Sequence, residues 1–98
     1  MTIEEVEQSI ASRTTDQSGH VGSFTFKKSG TVAYLEARLD KSAGKSPALW
    51  RIVWDLHSRS DRGQEHRDTS PNLASLLARF GPVDIQSTPA ESLDELLR

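Results

Sequence analysis

Apolar and polar residues alternate most strictly along Leu49–Leu56, LWRIVWDL, with Trp50, Ile52, Trp54 and Leu56 on one side and Leu49, Arg51, Val53 and Asp55 on the other. A period of two, rich in aromatic and β-branched residues, marks a half-buried strand. Both tryptophans of the chain lie on its apolar side. Each aromatic side chain buries on the order of 150–250 Å², so that side is expected to seed the core.

The same period runs through Val21–Lys28 and Thr31–Asp40. With Ser29-Gly30 as a two-residue turn, Lys28 opposes Thr31, Phe26 opposes Ala33, Phe24 opposes Leu35 and Gly22 opposes Ala37. Every apolar pair then falls on one face, and a slip of one residue would scatter them. For Ala33, Leu35, Ala37 and Leu39 to share a face with Trp50, Ile52 and Trp54, opposed residue numbers must add to an odd value. A sum of 87 places Glu36 against Arg51, whereas 89 places Arg38 there, and like charges directly opposed are unfavourable. The expectation is therefore an antiparallel meander in the register of 87.

A period near four marks the helices. Thr2 and Glu5 form a capping box ahead of Ile3, Val6 and Ile10, predicting a helix over about Ile3–Ser12. The polar stretch SRTTDQSGH reads as a linker. In His57–Thr69, Asp61-Arg62-Gly63 suits a type I turn closed by a left-handed glycine, so a polar fourth strand is expected near Gln64–Asp68, with a surface loop as the alternative. Ser70-Pro71 reads as N-cap and first residue of a second helix carrying Leu73, Leu76, Leu77 and Phe80, which Gly81-Pro82 ends. Val83 and Ile85 fit a short edge strand, and Thr88-Pro89-Ala90-Glu91 a capping box before Leu93, Leu96 and Leu97. The order α-β-β-β-(β)-α-(β)-α predicts an α+β fold: a three- to four-stranded antiparallel meander sheet with an N-terminal helix and two C-terminal helices packed on it.

Composition changes this picture little. Ninety-eight residues suit one small α+β domain over 1–98. The absence of cysteine removes disulfides and thiolate metal sites. The acidic opening MTIEEVEQ does not resemble an export signal. No apolar run nears the ~18 residues of a membrane span, so a cytoplasmic location without a membrane partner is expected. The net charge of −2 is unevenly spread, because residues 17–68 carry nine Lys and Arg against six acids while both flanks are acidic. Such a mild excess is weak bait for a phosphate backbone.

Candidate chemistry is sparse. Ala43-Gly44-Lys45-Ser46 echoes the end of a phosphate-binding loop, but position 39 is Leu rather than Gly and Pro47 leads into a strand. No cofactor is expected. His57 and His66, with Asp55, Asp61, Glu65 and Asp68 nearby, form the one dense titratable cluster. A hairpin turning at Asp61–Gly63 would bring the imidazoles together, as zinc ligands or as an acid–base pair on a phosphodiester steadied by Arg59, Arg62 and Arg67. Their nine-residue spacing matches no helical metal motif, so neither catalytic nor metal residues are assigned.

The sheet face opposite the tryptophans should display Thr25, Lys27, Val32, Tyr34, Glu36, Arg38, Arg51, Val53, Asp55 and His57. An apolar centre of Val32, Tyr34 and Val53 within a charged surround has the outline of an interface, although a helix could equally cover it. The leading expectation is a non-enzymatic macromolecule-binding protein: an adaptor, inhibitor or immunity-type factor. It would engage another protein through Lys27, Tyr34, Arg38, Arg51, Asp55, His57, Arg59, Arg62, His66 and Arg67. Nucleic acid is the alternative partner, through Lys27, Lys28 and the arginine-rich turn. A small metal-dependent or histidine-based phosphodiesterase is the third reading, and a homodimer is also compatible.

Overall fold

The structure, a computed structural model, describes residues 1–11, 20–46 and 49–98. The linker expected after the first helix lies, apart from His20, outside the described residues, as does Pro47. The fold is α+β, with five antiparallel strands rather than three or four: β1 (His20–Lys28), β2 (Thr31–Asp40), β3 (Arg51–Arg59), β4 (Glu65–Ser70) and β5 (Gln86–Ser87), in the order β4-β3-β2-β1-β5.

The first hairpin adopts the expected register, from Lys28 opposite Thr31 to Gly22 opposite Ala37. Ser29 and Gly30 both have positive φ, 51° and 80°, the primed turn whose twist suits two strands. The second hairpin turns through Asp61–Gly63, with Gly63 at φ 82°. Its closure joins Ser60 N to Gln64 O at 2.9 Å, and Gly63 N donates to Ser60 O at 3.0 Å. The polar stretch beyond it is therefore a strand, because the turn returns it against β3.

The β2–β3 register differs from expectation. Opposed numbers add to 91, so Asp40 rather than Glu36 faces Arg51, and Glu36 faces Asp55. Side-chain size accounts for this better than charge. Trp54 opposes Ala37, which in turn opposes Gly22, so the indole lies over a row with almost no side chain. Leu56 opposes Leu35, itself opposite Phe24. The Glu36–Asp55 juxtaposition is relieved from outside the pair, since His20 Nδ1 meets Glu36 Oε2 at 3.0 Å and Arg38 is ion-paired with Asp55.

This register carries Trp50 beyond the end of β2. Its Nε1 donates to Gly44 O at 3.0 Å, and Lys41 Nζ sits 4.6 Å from the ring. Only Trp54 is a core tryptophan, with its ring centroid 6.3 Å from that of Phe24. The expectation of two inward indoles is corrected to one.

Two helices cover the apolar face. In α1 (Ile3–Ala11) the capping box forms as expected: Glu5 N donates to Thr2 Oγ1 at 3.2 Å and Thr2 N to Glu5 Oε1 at 3.0 Å. Val6 and Ile10 are buried in the core. In α2 (Leu73–Leu77) the cap is Asn72, whose side chain accepts from Ser75 N, rather than Ser70. Ser70 ends β4 and instead accepts from Asn72 N at 3.1 Å. A 3-10 turn, Ala78–Phe80, lays Phe80 edge-on to Phe26 at 5.1 Å, and Gly81 at φ 67° ends it before Pro82.

The chain then crosses to the far edge of the sheet. Ile85 is fully buried, while pairing with β1 falls at Gln86 and Ser87, two or three residues later than the expected edge strand. Thr88–Ala90 hooks around that edge: Thr88 N donates to Ser23 O at 3.1 Å, and Ser23 Oγ donates to the carbonyls of Thr88 and Ala90. The last helix, α3 (Leu93–Leu96), is a single turn capped by Ser92, four residues beyond the expected Thr88. It lies on the opposite face of the sheet from α1 and α2, where Leu93 packs with Tyr34, Val32 and Ala90.

Candidate functional site

Directly opposed residues in antiparallel strands share a face, so the register lists each side of the sheet. The face opposite the core carries Thr25–Tyr34–His57–Arg67 in one row, Ser23–Glu36–Asp55–Thr69 in the next and Lys27–Val32–Arg59–Glu65 in a third. These rows include most of the expected contact residues. Docking of α3 changes their availability. Tyr34 is 6% exposed beneath Leu93, and Val32 packs with them, so two of the three residues of the expected apolar centre are covered, while Val53 is half-buried outside that cluster. Burial pushes the Tyr34 hydroxyl up from its ordinary pKa, against a hydrogen bond with Ser23 that acts the other way.

The two histidines are separated. His57 opposes Arg67, whereas His66 opposes Ser58 on the core side, in a shallow groove with Phe80 and Arg79. The imidazoles therefore stand on opposite faces, and the joint acid–base or zinc site has no geometric basis. Among the described residues, no group of three or more His, Asp or Glu is arranged to hold a metal.

The arginines are unequal. Arg59 Nε donates to Glu65 Oε1 at 2.7 Å, and its Nη2 reaches Asp94 at 3.1 Å. Arg38 is taken up by Asp55, which also accepts from Thr69 Oγ1 at 2.6 Å. Arg51 is exposed opposite Asp40 at the other end of the sheet, and Arg62 is exposed at the tip of the second hairpin. Lys27 is exposed, while Lys28 Nζ donates to Pro82 O at 2.6 Å. Among the described residues, these cations thus form no continuous basic stripe of the kind a nucleic-acid backbone needs.

A cleft of about 390 Å³ opens where α3 and the residues before it stand off from the strands. Its floor comprises Tyr34, His57 and Leu93 beside the backbone of β3 at Leu56, whose side chain belongs to the core, and its walls include Glu36, Asp55, Arg67, Thr69, Glu91 and Asp94. Nε2 of His57 is buried and has no hydrogen-bond partner; the Glu65 carboxylate is 3.8 Å away. Arg67 and Glu91 are exposed on the rim. Glu91, Ser92 and Asp94 were outside the expected set. Only the crossing of residues 81–90 brings them beside β3 and β4, and no local pattern announces that crossing.

Asp55 ties the floor together. Partial burial alone would raise its carboxyl, but the hydrogen bonds from Arg38 and Thr69 outweigh this and hold it below the usual carboxylate range. A depressed folded-state pKa contributes stability above the unfolded value, and that contribution is lost as pH falls through the folded value. Urea titrations should therefore show wild type more stable than Asp55→Asn at pH 7, with the gap closing below about pH 4. A gap that persists to pH 2 would mean that the ion pair does not act through its charge.

Among the described residues, no helix is long and apolar enough to cross a membrane. No protein-family model matches the chain, and no curated protein or solved structure does either.

Proposed function

We propose that this chain is a non-enzymatic protein-binding domain, of the adaptor, inhibitor or immunity type, which receives a projecting side chain of its partner in the cleft under α3. The observation that carries the reading is the make-up of that cleft: a floor with the apolar side chains of Tyr34 and Leu93 beside His57, within a rim bearing Arg67, Glu91 and Asp94. An apolar centre with a charged surround is how protein interfaces are commonly organised. The contact surface is thereby narrower than the whole outer face, with His57 and Leu93 beside the covered Tyr34 at its centre and Arg67 and Glu91 on its rim. Separation of His57 from His66 and ion-pairing of Arg59 leave the phosphodiesterase and nucleic-acid readings with less support.

The test begins with affinity capture on the intact chain, followed by titration of the captured protein against Glu91→Arg. Reversing a rim charge should weaken binding about tenfold, with melting unchanged because Glu91 is exposed. Equal affinity for wild type and variant would place the partner elsewhere on the domain.

A further inference from the structure

Among the described residues, one margin of the sheet is open. β4 is the outermost strand on its side, and every residue from Glu65 to Thr69 is exposed. The Ser60–Gln64 bond fixes which backbone groups are free. Hydrogen-bonded pairs alternate along an antiparallel ladder, so Ser58–His66, Leu56–Asp68 and Trp54–Ser70 are the bonded pairs of β3 and β4. The N–H and C=O groups of Glu65, Arg67 and Thr69 consequently point away from the sheet.

A strand that adds here must match outward groups with outward groups. When a second copy pairs antiparallel, its residue numbers then add to an even value. A sum of 134 sets Arg67 against Arg67, and 136 sets Asp68 against Asp68; both oppose like charges, which is unfavourable. A sum of 132 behaves differently. It places Glu65 against Arg67 twice, Gln64 against Asp68 twice, and His66 against its own copy at the axis. The run Gln64-Glu65-His66-Arg67-Asp68 is thus complementary to itself when reversed. Glu65 retains an acceptor for this contact, because Arg59 bonds to Oε1 while Oε2 is only 3.8 Å from His57. Charge on an edge strand usually guards against pairing, most often through lysine. β4 contains no lysine, and its charges alternate in sign.

We propose that two copies of this chain associate edge to edge through β4, in the register that sets Glu65 of each against Arg67 of the other, joining two five-stranded sheets into one of ten. The pairing supplies four backbone hydrogen bonds, from Glu65 and Arg67 of each copy, and brings the two clefts side by side. A contact this small belongs with weak interfaces that bury less than ~1,200 Å², so dissociation on the order of 100 µM is expected. The inference goes beyond the cleft reading and is read out by mass, without any other partner.

Sedimentation equilibrium of the intact chain over about 10 µM to about 1 mM should follow a monomer–dimer curve. Glu65→Arg alone and Arg67→Glu alone each oppose like charges in the proposed register and should remain monomeric. An equimolar mixture of the two restores both complementary pairs and should recover the dimer. Hydrogen exchange on wild type provides a check that requires no variant: the amides of Glu65 and Arg67 should slow as concentration rises. A wild-type chain that stays monomeric to about 1 mM would overturn the proposal. So would a mixture no more associated than its components, or edge amides indifferent to concentration.

Discussion

Trp54→Ala lowers the stability of the folded chain by about 3–5 kcal/mol, while Trp50→Ala costs about 1 kcal/mol. The contrast follows from the β2–β3 register. Trp54 is 4% exposed, sits over Ala37 and Gly22 and meets Phe24, so its removal leaves a cavity whose lining has no side chain long enough to fill it. Trp50 is half-buried outside the strands and loses one hydrogen bond and one cation contact. Domains of this size are stable by only about 5–15 kcal/mol, so the first change removes a large share of the total. Urea unfolding of the two variants measures the difference. Acrylamide quenching gives an independent reading, because the fluorescence that survives in Trp50→Ala should be poorly quenched and that in Trp54→Ala readily quenched. Comparable losses in both variants would require Trp50 to lie within the core.

Leu93→Ala should cost about 2–4 kcal/mol and act on one side of the molecule only. Leu93 is fully buried against Tyr34, Val32 and Ala90, and it is the one fully buried side chain that α3 contributes. A single helical turn has no independent stability in water, so a weakened anchor detaches the segment rather than shrinking it. Tyr34 then becomes accessible, and nitration of its ring should accelerate. Trp54 emission should not move, because the core cluster lies on the reverse side of the sheet. The cleft loses its wall at the same time, so capture of a protein partner should fall with it. A joint change in Tyr34 reactivity and Trp54 emission would show that the two faces unfold together.

The parts legible from sequence are those set by neighbours along the chain. The first hairpin was readable because a two-residue turn leaves one register in which Phe24 and Phe26 share a face with Leu35 and Ala33. The Thr2–Glu5 cap was readable for the same reason. The meeting of β2 and β3 was not, because the connection between them is long and imposes no register. Charge pairing favours the register of 87, whereas the bulk of Trp54 against Ala37 decides for that of 91. Helix starts were misplaced by two to four residues, at Asn72 for Ser70 and at Ser92 for Thr88, because each approach offers several oxygens able to cap.

The candidate site divides in the same way. Separation of the histidines was available in advance: a three-residue turn pairing Ser60 with Gln64 makes opposed numbers add to 124, an even value that His57 and His66 miss by one. Coverage of Tyr34 was not available. It depends on the hook of Thr88–Ala90 around β1, which bonds to Ser23 more than sixty residues earlier in the chain.

That hook also limits how far such a sheet can extend. β5 and the turn after it occupy the middle of one margin, and Lys28 is fastened to Pro82 farther along it. A ribbon blocked on one side can accept a neighbour on the other and then has nowhere to add a third. Under the proposed pairing, growth by strand addition would therefore stop at a closed pair.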